Sequence, residues 1–186
     1  MSELVGQGPI GVHGPTTDTT TTAKNTLGIR AYDSLGNEYR YVLFTEANAV
    51  GGWCVFDGSW NATRVSSTSR GALGISQTTH AANEYGWAKV YGIEDVAQIG
   101  DSEATSGYGL IAPTGATTEP IMGVTSTMLT SVVSGALASP VVGAWIKAAA
   151  TTATTGSSSS FSGITVQVFL NYPMLTGLGA ERAGTT

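Results

Sequence analysis

The chain holds one cysteine and two histidines, so thiol chemistry would have to run through Cys54, with His80 as its base. A nucleophilic cysteine needs an electropositive, partly open setting that favours the thiolate. Cys54 instead sits between Trp53 and Val55 in a strand-like run, and is expected to be a small buried hydrophobe. His13 and His80 lie far apart with no second cysteine, which gives no metal-ligand spacing. Glu94, Asp95, Asp101 and Glu103 gather four carboxyl groups within ten residues. Paired carboxylates can serve as acid and base in glycoside hydrolysis. Clustered acids can hold calcium, but the D-x-D-x-D-G spacing of an EF-hand is absent. A solvated loop carrying much of the net charge is expected there.

Two further patterns invite a binding reading. "GQGPIG", Gly6 to Gly11, matches G-x-G-x-x-G. A dinucleotide fingerprint needs a strand before it and a helix after it, and Pro9 and Pro15 oppose the helix. A flexible arm is the better reading. Trp53, Trp60, Trp87 and Trp145, with Tyr39, Tyr41, Tyr85 and Tyr91, could line a sugar site. At strand positions such residues more often serve as core or subunit contacts. "NAT" at Asn61 is a formal glycosylation sequon, with no signal peptide expected to deliver it.

The elements that must position these residues read as strands. "DSLGN", Asp33 to Asn37, suits a three-residue hairpin loop with Ser34 and Leu35 in a type I turn and Gly36 in the left-handed position. After it, Tyr39, Tyr41 and Leu43 share one face. Glu38 and Arg40 begin the other, which turns apolar at Val42 and Phe44, so this hairpin starts at a rim and runs inward. "GWCVF", "SWNATRV", "GALGISQTT", "YGWAKVYG", "VAQIGD" and "YGLIAP" are further strand candidates, with a turn at Asp57–Gly58. Val141 to Ile146 is expected to be a strand. In "ITVQVFLNY", Ile164, Val166, Val168, Leu170 and Tyr172 form one face, with Pro173 ending the strand. Many short strands with glycine punctuation predict an all-β fold: a compact antiparallel β-barrel or sandwich with an extended N-terminal arm and a short C-terminal tail. The expected boundaries are 1–26 for the arm, 27–176 for the β-domain with a low-complexity loop at 150–163, and 177–186 for the tail.

Composition narrows the function. Charged residues make up 11% of the 186, against roughly 25% in ordinary soluble chains. Solubility then rests on Thr, Ser, Gly and backbone groups, or a partner covers much of the surface. A net charge of −5, with the eight Lys and Arg scattered singly, argues against nucleic acid. Ile121 to Ile146 carries no charge, but glycines, Pro140 and many Ser and Thr residues make it a poor membrane span. One cysteine excludes an intrachain disulfide.

"LGIRAYDSLGNEYRYVLF", the strand containing Trp53, "YGW" followed by "AKVYG", and the closing "TVQVFLNYP" resemble small structural proteins of tailed-bacteriophage heads. The resemblance spans Leu27 to Pro173. It implies a β-rich, non-enzymatic virion protein of the decoration or cement type, made in the host cytoplasm and seated on the outer capsid surface where capsomers meet. It implies the major capsid protein as partner and a homotrimer as assembly, with no nucleic acid, membrane, small-molecule substrate or cofactor. A disordered arm can fold over a neighbour's surface, and Pro9, Ile10 and Val12, its densest apolar group, are the expected anchoring contacts. The alternative is a tail or fibre β-domain that recognises a host glycan. Trp60 and Trp87 are the candidate contacts for that role.

Overall fold

A computed structural model describes residues 5–6, 16–66, 68–99, 109–111, 123–125, 140–148 and 164–175. The described residues are all-β, and the strands form one mixed sheet. In chain order these are β1 (Val5–Gly6), β2 (Arg30–Tyr32), β3 (Glu38–Phe44), β4 (Trp53–Phe56), β5 (Asn61–Arg64), β6 (Gly71–Ser76), β7 (Glu84–Ile99), β8 (Gly109–Ile111), β9 (Gly123–Thr125), β10 (Pro140–Ala148) and β11 (Ile164–Leu175). The β2–β3 hairpin forms as its turn residues dictate. Gly36 takes φ 81°, and the Asp33 carboxylate accepts hydrogen bonds from the Leu35 and Asn37 amides at 2.9 Å each. Burial opposes charge on Asp33, yet the bonds from Asn37, Tyr39 and Leu35 outweigh it and hold the carboxyl below its ordinary pKa.

The pairings close a ring of five strands, β3–β5–β4–β6–β7 and back to β3. All pairings are antiparallel except β3–β5, where Leu43 and Phe44 run parallel to Asn61 and Ala62. The ring is therefore a small barrel with one parallel seam. Alternate residues point inward, and Val42, Phe44, Cys54, Phe56, Ala62, Ala88 and Val90 fill it. Phe56 reaches so far in that a Cβ on Gly74 would meet it at 2.4 Å, which explains a glycine in mid-strand.

β7 is long enough to serve two layers. Its first half pairs with β3 and its second half with β11, which continues to β10, β8 and β9. The inner face of this extension packs Ala97, Ile99, Ala144, Ile146, Val166, Val168 and Leu170 onto Trp53, Val55, Leu73 and Ile75. β4 is thus buried on both faces, which is why "WCVF" is an unbroken apolar run. Each such side chain contributes about 1.5–3 kcal/mol of burial. A third cluster of Ala31, Tyr39, Tyr41 and Trp87 covers the outer side of β3 and β7. Within the segment expected as an arm, β1 pairs with β2. Further along, Thr20 bridges Tyr85, and the Lys24 amide donates to the Tyr41 hydroxyl at 3.1 Å.

Three expectations need correction. "YGWAKVYG" and the first four residues of "VAQIGD" are one strand ending at Ile99, because Gly92, at φ 104°, bends β7 without breaking it; Gly100, Asp101 and Glu103 lie outside the described residues. Glu94 and Asp95 accordingly lie in β7 rather than in a solvated loop. Glu94 is buried, 2.9 Å from Lys89 Nζ. β11 does not end at Pro173: it runs to Leu175, with Pro173 inside an irregularity where Val142 faces Met174 but Ala144 faces Leu170. That bulge turns Tyr172 out of the buried face. The arm residues Pro9, Ile10 and Val12, the 150–163 loop and the 177–186 tail lie outside the described residues.

Candidate functional site

The barrel has two unlike ends, set by the strand alternation. At one end the interior finishes on Phe44, Gly86 and His80. The His80 ring stacks on Phe44 with centroids 4.0 Å apart, and a Cβ on Gly86 would lie 2.0 Å from His80 Cε1. The ring plugs this end with 1% exposure, and neither nitrogen has a hydrogen-bond partner among the described residues. Burial pushes its pKa down to about 4, against a weaker upward pull from Glu84. Cys54 is wholly buried, its thiol donates to the Gly74 carbonyl at 3.5 Å, and burial pushes its pKa up. It is the buried hydrophobe expected, not a nucleophile.

At the other end the alternation reaches Arg40 and Glu38, and the interior opens. The opening is a cavity of about 130 Å³, floored by Phe56, Ala72 and Val90 and walled by Arg40, Trp60, Tyr172 and Met174. Trp60 ends the β4–β5 loop, "DGSWN", which copies "DSLGN" bond for bond. Asp57 Oδ1 accepts from the amides of Ser59 and Asn61, as Asp33 Oδ1 does from Leu35 and Asn37. Trp60 occupies the left-handed position that Gly36 fills in the twin, at φ 63°. A tryptophan there costs on the order of 1–2 kcal/mol. The Arg40 guanidinium lies 5.1 Å from the Trp60 ring centroid, and Gly28 passes so close that a Cβ would sit 2.2 Å from Trp60 Nε1.

A buried ion cluster supports this rim. Glu38 is 1% exposed, and its Oε1 lies 3.3 Å from both Arg30 Nε and Arg40 Nη2, at ion-pair distance without hydrogen-bond alignment. Its Oε2 accepts from the Tyr172 hydroxyl at 2.7 Å. That bond, more than burial, raises the Tyr172 pKa. Burial lowers that of Arg40, helped by the neighbouring Arg30 charge. Tyr172 holds φ 49°, so two strained aromatic residues flank one opening. Strained left-handed residues concentrate at binding and active sites.

From Tyr172 an aromatic ladder crosses the outer face of the sheet. Tyr172 and Tyr91 have ring centroids 5.5 Å apart, Tyr91 and Phe169 6.0 Å, and Phe169 and Trp145 4.7 Å. Trp145 is 43% exposed, Tyr172 49%, Met174 50% and Val142 52%. Of the residues expected from sequence, Trp60 is at the mouth, while Trp87 is fully enclosed beside Tyr41 and cannot touch a partner in this fold. Glu38, Arg40, Tyr172 and Met174 were not foreseen as site residues. The polar start of the otherwise apolar alternation Glu38, Arg40, Val42, Phe44 was the signal for the first two.

No family model, curated protein or solved structure matches the chain.

Proposed function

We propose that this is a non-enzymatic structural module of a phage virion, which binds protein subunits through the exposed face of β10 and β11. The observation that carries the reading is the uncovered tract of Val142, Trp145, Tyr172 and Met174 with half-buried Phe169. Clustered exposed apolar side chains mark protein contact sites, and Trp, Tyr and Met are the residues enriched there. The low charge content fits a surface meant to be covered. The resemblance to phage-head proteins names the partner as the major capsid protein and the self-assembly as a trimer on the outer shell. Weak contacts repeated over a symmetric lattice suffice for such a role.

The test is co-sedimentation with empty phage heads together with native mass. The wild-type chain is expected to bind heads and self-associate. Val142→Ser with Trp145→Ser, both exposed and so compatible with folding, should stay monomeric and in the supernatant. A wild-type monomer that leaves heads unbound defeats the proposal. The glycan alternative has less support, since Trp87 is enclosed and the mouth beside Trp60 is lined mostly by carbon. Sugar recognition calls for several converging polar groups.

A further inference from the structure

We infer that the barrel mouth binds an aromatic or branched aliphatic group that carries a carboxylate. This goes beyond the docking role proposed above and rests on the cavity rather than on the outer face. The first argument is size and polarity. The cavity of about 130 Å³ is floored by Phe56, Ala72 and Val90. An apolar cavity of roughly 150 Å³ takes up benzene, so a ring or a leucine-sized group fits this one. Small ligand sites occur in the mouths of β-barrels, where apolar walls meet a few placed polar groups.

The second argument is charge. Two guanidinium groups, Arg30 and Arg40, face one carboxylate, Glu38, which is their only ion-pair partner among the described residues. Glu38 is held in place by Tyr172, so its charge stays at the rim. Among the described residues one positive charge is left over at the edge of an apolar cavity, on a chain whose net charge is −5. Arg30 is half exposed and can turn its remaining N–H groups toward an incoming anion. Arg40 holds the Trp60 ring and donates to the Gly28 carbonyl at 2.9 Å, so the wall is set before a ligand arrives. The third argument is the strain at Trp60 and Tyr172, both of which line the cavity. A fold that tolerates two left-handed aromatic residues at one opening is over-determined there by its surroundings.

Two chemical sources can present such a group: a free acid, or the C-terminal carboxylate of a protein chain ending in an apolar residue. The full-length protein is titrated calorimetrically with phenylacetate and with neutral phenylacetamide. It is then titrated with a short peptide ending in phenylalanine, with its carboxylate free or amidated. The charged member of a pair is expected to bind about tenfold or more tighter than the neutral one, as charge-assisted hydrogen bonds require. Arg30→Gln lies outside the lining and should remove most of that discrimination while the melting temperature holds. Trp60→Gly should abolish binding. Phenylacetate binding alongside the free peptide identifies the group itself as the ligand, and peptide-only binding identifies a chain terminus. Equal binding of charged and neutral probes, or binding of none of the four, overturns the inference. Neither result bears on head binding, which the outer-face variants test separately.

Discussion

The plug at the closed end of the barrel makes acid stability a direct test of the fold. His80 is neutral in the native state because its ring lies buried between Phe44 and Gly86, with no hydrogen-bond partner for either nitrogen among the described residues. In the unfolded chain it titrates near 6.5, and in the native state burial holds it down to about 4. Above pH 6.5 both states are neutral and His80 adds no pH dependence. Between 6.5 and about 4 the unfolded chain takes up a proton that the native state refuses, so stability falls with pH. Below about 4 both states are protonated and the loss levels off. At 1.36 kcal/mol per pH unit, the interval from 6.5 down to about 4 corresponds to about 3 kcal/mol. For a domain whose total stability is of order 5–15 kcal/mol, that is a large share.

Urea unfolding at a series of pH values from 7.5 to 4 measures this directly, with Trp fluorescence as the probe. The wild-type protein should lose about 3 kcal/mol across the window, with its m-value unchanged. His80→Phe keeps a ring against Phe44 but cannot ionise, and its stability should fall by about 3 kcal/mol less over the same range. Asp33 and Asp57, whose carboxyls hydrogen bonds hold below 3.8, lose their contribution only as pH falls under that value, so they do not confuse the window. His13 is present in both proteins and cancels in the comparison. A wild-type curve flat between pH 6.5 and 4, or a His80→Phe curve with the same slope, refutes the reasoning.

Three further outcomes follow from named contacts. Lys89→Met leaves buried Glu94 without its ion-pair partner, with Gln77 and the Val96 amide as its donors among the described residues, and should cost about 3–5 kcal/mol by chemical denaturation; Lys89→Met with Glu94→Leu should recover most of it. Tyr172→Phe strips the donor from buried Glu38 Oε2 and should cost about 1–3 kcal/mol in a thermal or urea melt, with no loss if that oxygen is already solvated. Trp60→Gly exchanges partial burial against Phe56 for relief of a left-handed tryptophan, so its stability should stay within about 1 kcal/mol of wild type. A loss near the 3–5 kcal/mol of a core aromatic truncation would make Trp60 a core residue rather than a wall of the mouth.

What could be foreseen from sequence was whatever a short stretch decides for itself. The Asp33–Asn37 loop, the alternation along β3 and the apolar run of β4 each carry their own instruction, and each formed as written. The ring closure carries none: β3 meets β5 through two parallel residue pairs, and β6 meets β7 through two antiparallel ones, contacts that follow only once the intervening hairpins have folded. Glu94 and Tyr172 were misplaced for the same reason. A carboxylate reads as exposed until a lysine five positions back on the same strand is brought round by the Gly92 bend. A residue before proline reads as a strand end until a bulge opposite Gly143 absorbs the missing donor. The mouth was half visible. Glu38 and Arg40 marked a rim, but nothing local says that Tyr172, 134 residues away, closes it. The two D-x-x-x-N loops state the point most sharply. Their hydrogen bonds match, yet one carries glycine and the other tryptophan at the position where only glycine is free of strain. Local chemistry favours the first choice and cannot account for the second. The contacts of Trp60 with Arg40, Phe56 and Gly28 can, and they exist only because the barrel brings β3, β4 and the turn ahead of β2 to one opening. A residue that opposes its own backbone is held by tertiary structure alone, which is why the mouth rather than the core is where a ligand is to be tested.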